Sequence, residues 1–131
     1  MTTQEADEAP ETTYRNALGA GRLLLQRCEE TGRFFFYPRT ISPFSGQARF
    51  TWEEASGRGT VYSTTVIRQK PEAGGSYNLA LIDLAEGPRL MSRVEGIAPE
   101  AVTIGLPVVA FVGTDDKGEP LLLFRPLEET P

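Results

Sequence analysis

Residues 27–46 read RCEETGRFFFYPRTISPFSG. Cys28 is followed four residues on by Gly32, then by an aromatic run, by Pro38-Arg39, and by a Ser-Pro-x-Ser-Gly turn at 42–46. This is the cadence of a small zinc ribbon, which needs four thiolates in two C-x-x-C knuckles. Here Cys28 stands alone, and Thr31, Ser42 and Ser45 occupy the places where the other three thiolates belong. A Ser or Thr hydroxyl does not ionise near neutral pH and supplies no thiolate for tight zinc binding. The expectation is a degenerate, metal-free ribbon with no metal site.

Something must replace the metal, because structural zinc contributes on the order of 10 kcal/mol or more of apparent binding energy in small peptides. Eight of the twelve aromatic residues precede position 53: Tyr14, Phe34, Phe35, Phe36, Tyr37, Phe44, Phe50 and Trp52. Burying one Phe contributes roughly 1.5–3 kcal/mol, so three or four of them can hold such a segment together.

Outward from this stretch, the chain of 131 residues fits one domain, or a small module attached to one. A hydrophobic fraction of 40% and a charged fraction of 24% belong to a soluble globular protein. No apolar run approaches the roughly 20 residues that cross a bilayer, so no membrane partner is expected. The opening MTTQEADEAPETT lacks the basic and apolar regions of a signal peptide. A single cysteine excludes an intrachain disulfide and agrees with a reducing compartment. Both observations point to the cytoplasm.

The chain contains no histidine. That removes the commonest general base, the partner in most Ser or Cys dyads, and the commonest transition-metal ligand. Adjacent carboxylates occur at Glu53-Glu54 and Asp115-Asp116. Strand neighbours point to opposite faces, so the first pair cannot share a proton, and the second sits in a turn sequence whose acids cap backbone groups. No catalytic residue is nominated, and an independent enzyme is the disfavoured reading.

The net charge of −5 is unevenly spread. Residues 14–70 carry nine Lys/Arg against four acids, while both flanks are acidic. A positive middle section with aromatics is compatible with phosphate, and single-stranded nucleic acid is the alternative partner class. The overall acidity weighs against it, so nucleic acid is not the expected partner.

Along the chain, residues 1–12 read as a disordered acidic tail. Residues 13–47 read as a short helix, capped by Thr12 or Thr13 and ended by Gly19 or Gly21, followed by the ribbon. RLLLQRC is too short and too uniformly apolar to assign by period. RFFFYP reads as extended, with Phe34 and Phe36 on one side and Phe35 and Tyr37 on the other. Residues 48–131 alternate like strands: ARFTWEEA, TVYSTTVIRQ, YNLALIDLAEG, PRLMSRVEG, then a helical turn at Pro99 and a closing hairpin. The fold class is mainly β, an OB-fold Greek-key barrel behind a short helix and a degenerate ribbon-like segment, although an SH3-like barrel or small sandwich has a similar pattern.

The order LLLQRCEETGRFFFYPR (23–39), SPFSG (42–46), WEEASGRGTVYSTTVIRQ (52–69) and VEGIAPEAVTIGLPVVAFV (94–112) carries a family resemblance. It resembles the acyl-CoA-associated OB-fold proteins that begin with a rubredoxin-like zinc ribbon, over about Tyr14 to Phe124. The resemblance implies an accessory role beside thiolase-like or hydratase acyl-CoA enzymes, with a coenzyme A thioester as ligand. It places the ribbon's ligands at Cys28, Thr31, Ser42 and Ser45, of which only the first is kept. On this reading Arg33, Arg39 and Arg58 are candidate contacts for coenzyme A phosphates. Phe35, Tyr37 and Phe44 are the candidate partner surface, which could also support homo-oligomers when no partner is bound. Zinc is expected to be lost, leaving no cofactor.

Overall fold

The computed structural model describes residues 9–46 and 48–127. Helix α1 spans Pro10–Gly19. Its first turn therefore includes residues assigned from sequence to the tail, while residues 1–8 lie outside the described ones. The cap is extended Ala9 with no side-chain bond, and not Thr12 or Thr13, because Pro10 at the first helical position presets φ and has no N–H to satisfy. The exit follows the glycine reading: Gly21 sits at φ 80°, and the Gly21 and Arg22 amides donate to Leu18 and Ala17 carbonyls.

Strands β1 (Leu24–Cys28), β2 (Phe34–Phe35) and β3 (Phe50–Glu54) form an antiparallel sheet in the order β2-β1-β3. Residues 50–54 thus pair with β1 of the ribbon, Leu24 opposite Glu54 and Cys28 opposite Phe50. The barrel strands proper begin at Arg58. The unassignable LLLQRC is explained by burial on both sides. Leu23 and Leu25 enter the barrel core, while Leu24 packs with Ala17 of α1 and Trp52 of β3. A strand covered on both faces shows no period of two.

The second sheet contains β4 (Arg58–Ile67), β5 (Tyr77–Leu84), β6 (Arg89–Ser92), β7 (Pro107–Thr114) and β8 (Pro120–Pro126) in the order β6-β5-β4-β7-β8. A register shift between Val61 and Ser63 of β4 marks a bulge, the device that bends a strand and lets a sheet curl. The far edges meet at a parallel bridge between Val94 and Phe124, with the Phe124 amide on the Arg93 carbonyl and the Glu95 amide on the Phe124 carbonyl. This is the OB-type barrel expected from the strand pattern. Its core centres on Leu25, Val61, Ile82, Val108 and Phe124. Strand β5 alternates as read, with Asn78, Ala80, Ile82 and Leu84 buried. Residues Pro99–Ala101 form one 3-10 turn. No helix among the described residues is long and apolar enough to cross a membrane.

Candidate functional site

The four positions that the resemblance assigns to ribbon ligands, Cys28, Thr31, Ser42 and Ser45, lie in two turns of similar backbone form. In the first, the Gly32 amide donates to the Cys28 carbonyl (2.8 Å) and the Arg33 amide to Thr31 Oγ1 (3.3 Å). In the second, the Gly46 amide donates to the Ser42 carbonyl (2.9 Å) and the Phe44 amide to Ser42 Oγ (3.2 Å). Both glycines take positive φ, 73° and 74°, where a side chain would be strained. Cys28 and Ser42 are fully buried.

The Ser42 hydroxyl, then the Thr31 hydroxyl, hydrogen-bond the Cys28 sulfur, and the backbone of Thr31 and Glu30 adds to them. Together they lower the thiol's pKa from 9.0 to about 6, while burial works the other way. One thiol among three hydroxyl residues does not fit a structural zinc, which takes four Cys or His ligands. Among the described residues, no three His, Cys, Asp or Glu side chains gather to hold a metal.

The aromatic run divides between the two layers. Phe34 and Phe36 pack onto the barrel core, while Phe35 turns into the ribbon and meets Phe44 and Phe50 edge-on, at 6.2 Å between centroids in each case. Phe35 is buried and offers no partner surface, because it forms the ribbon's own small core. Phe44 is half-buried, and Tyr37 is exposed beside the Phe36 ring.

The charged residues sort clearly. Arg15, Arg22, Arg27, Arg49 and Arg68 pair with Glu11, Glu54, Glu53, Glu29 and Glu100. Five of the middle section's nine Lys/Arg are therefore met by a carboxylate among the described residues. Glu53 and Glu54 take different arginines, as opposite-facing neighbours must. Asp115 Oδ1 accepts the Lys117 and Glu119 amides, the turn-capping role its sequence suggested. Arg33, Arg39 and Arg58 have no carboxylate within ion-pair distance among the described residues.

These three arginines do not converge on one cleft. Arg33 lies over the Phe44 ring at 3.9 Å and lines a cleft of about 480 Å³ between the ribbon and the β5–β6 turn. Arg39 is exposed, with its backbone held by Gln26. Arg58 opens β4 opposite Val109. On the barrel side the same cleft is lined by Glu86 and Arg89, which sequence reasoning did not single out. They sit in an ordinary turn sequence, and only the folded arrangement brings them opposite Phe44. Arg89 is anchored by Asp83 (2.6 Å) and lies over Tyr62. A second cleft of about 340 Å³ runs between α1, Tyr37-Pro38, Leu90-Met91 and Pro120–Leu122, with Tyr14 in its wall.

Comparison with known proteins matches residues 15–42 to the family described as ChsH2, rubredoxin-like zinc ribbon domain, and residues 52–112 to ChsH2, C-terminal OB-fold domain. A Thermomonospora curvata protein described as a probable enoyl-CoA hydratase alpha subunit is 38% identical over 80% of this chain and 34% of its own length. A Pyrococcus furiosus DUF35 domain-containing scaffold protein is 33% identical over 66% of this chain and 65% of its own. The chain thus spans about a third of the first and about two thirds of the second. Among solved structures, a chain of the one described as Ltp2-ChsH2(DUF35) aldolase superposes with a TM-score of 0.79 at 33% identity, over 94% of this chain and 98% of that one.

Proposed function

Because the chain belongs to the DUF35 family, in which a rubredoxin-like ribbon precedes an OB fold, we propose that it is a non-catalytic accessory subunit of a cytoplasmic acyl-CoA enzyme, thiolase-like or a hydratase. The observation that carries this reading is the likeness along almost the full length of a chain from the Ltp2-ChsH2(DUF35) aldolase structure. Relatives described as scaffold proteins and as a hydratase alpha subunit support the same role. In this reading the ribbon and barrel together present one docking unit, with Phe44 and Tyr37 on its surface.

The ligand is a coenzyme A thioester, and Arg33 meets its phosphates at the ribbon–barrel cleft. Support comes from a guanidinium held over the Phe44 ring and left without a carboxylate partner among the described residues. Such a group is available for charge-assisted hydrogen bonds to a phosphate.

The test is a gentle pull-down of the tagged chain from its native cells, with retained proteins identified by mass spectrometry. Near-stoichiometric recovery of a thiolase-like enzyme or hydratase is the expected result. Recovery of nucleic acid, or of nothing beyond the bait, would overturn the accessory role. Turnover of acyl-CoA esters by the isolated chain would overturn its non-catalytic part.

A further inference from the structure

The matched family model is a rubredoxin-like zinc ribbon, and of the four ligand positions that the resemblance assigns, Thr31, Ser42 and Ser45 carry no thiol in this chain. The sequences C-E-E-T-G and S-P-F-S-G close in the same way, with the glycine amide returned to the first carbonyl and the glycine at positive φ. In each knuckle an amide hydrogen ends on a hydroxyl oxygen, from Arg33 to Thr31 and from Phe44 to Ser42. Both hydroxyls in turn contact the Cys28 sulfur, one from its own knuckle and one from the opposite knuckle. The result is a relay from amide to hydroxyl to sulfur that ties the two turns across the place a metal would hold.

We propose that this relay stands in for the metal: the ribbon of this chain folds without zinc, yet its knuckles stay so close to a metal site that three thiolates would restore one. Three further features secure the segment. The Cys28 amide donates to the Arg33 carbonyl, the Glu29 amide reaches the Arg49 carbonyl, and Phe35 closes the base between Phe44 and Phe50. The buried Ser42 hydroxyl and Cys28 sulfur are stable only when their hydrogen bonds are made, and this network makes them within the ribbon itself. The inference does not depend on which enzyme the chain docks to.

The experiment uses the full chain, purified from zinc-supplemented cells. Elemental analysis is expected to find zinc far below one per chain, and a chelator is expected to leave Tm unchanged. Zinc near one per chain, or a Tm that falls with chelator, would overturn the proposal. Ser42→Ala removes the leg of the relay that crosses between the knuckles, without inviting a metal, and is expected to lower Tm by roughly 4 °C or more; an unchanged Tm would sink the relay. The combined variant Thr31→Cys, Ser42→Cys, Ser45→Cys is expected to take up about one zinc per chain and to become chelator-sensitive, as thiolate knuckles are. A folded triple variant that remains metal-free would refute the claim that the knuckles are kept. Should it not fold, wild-type metal content and Ser42→Ala decide the matter.

Discussion

The carboxamide of Gln26 pairs with the backbone of Arg39 as a neighbouring strand would, its nitrogen donating to the Arg39 carbonyl (2.6 Å) and its oxygen accepting the Arg39 amide (2.7 Å). Gln26 is fully buried on β1, so this one side chain extends the ribbon sheet past the two-residue strand β2. Gln26→Leu keeps the bulk and strands both backbone groups. The expected loss is about 2–3 kcal/mol in urea unfolding, the scale of leaving buried polar groups unpaired.

Asn78 does similar work inside the barrel. Its oxygen accepts the Val94 amide (3.0 Å) and its nitrogen donates to Thr64 Oγ1, which ties β5 both to β4 and to the segment that closes the barrel on Phe124. Asn78→Ala is expected to cost about 2–3 kcal/mol. Amide exchange should rise first at Val94, Glu95 and Phe124.

Gly59 needs no special φ and is held for space. A β-carbon there would lie 2.8 Å from Ile82 Cγ2 and 2.9 Å from the Asp83 carbonyl. Gly59→Ala is expected to destabilise by roughly 1–3 kcal/mol through overpacking between β4 and β5, read as a lower denaturation midpoint.

Burial, with a smaller contribution from Tyr37, raises the Tyr14 hydroxyl from 10.0 to about 12, against the pull of Arg15. The folded chain therefore holds that proton more tightly than the unfolded chain. The stabilisation is complete below pH 10 and is lost as pH rises from 10 towards 12. Ultraviolet titration should show a late phase that Tyr14→Phe removes, and the same substitution should flatten the alkaline fall in stability.

If Arg33 meets a coenzyme A phosphate, Arg33→Ala should weaken coenzyme A binding roughly tenfold, as loss of one charge-assisted bond implies. Arg39→Ala and Arg58→Ala should weaken it less, since neither lines the ribbon–barrel cleft. Calorimetric titration against all three variants separates these outcomes.

Much of this was legible in the residues. The alternation of β5 and of Phe50, Thr51, Trp52 and Glu53 gave strand faces that the burial follows. The turn acids, the positive-φ glycine after α1, and the paired spacing of Cys28, Thr31, Ser42 and Ser45 could be read directly. What escaped was every feature that depends on a second element. Pattern alone could not reveal that β1 is covered on both faces, that β3 joins the ribbon, or that Phe35 turns inward. Arg89 and Glu86 reach the cleft only because the β5–β6 turn folds back against Phe44.

The passage from β3 to β4 has only three residues, and each is fastened. The Ala55 amide goes to the Leu23 carbonyl, the Ser56 amide to Glu86 Oε2, and the Gly57 carbonyl receives the Ala110 amide. Three bonds across a three-residue joint fasten it to the start of β1, to the β5–β6 turn and to β7, so the ribbon is moored to the barrel wall and not hung from it like a flag on a pole.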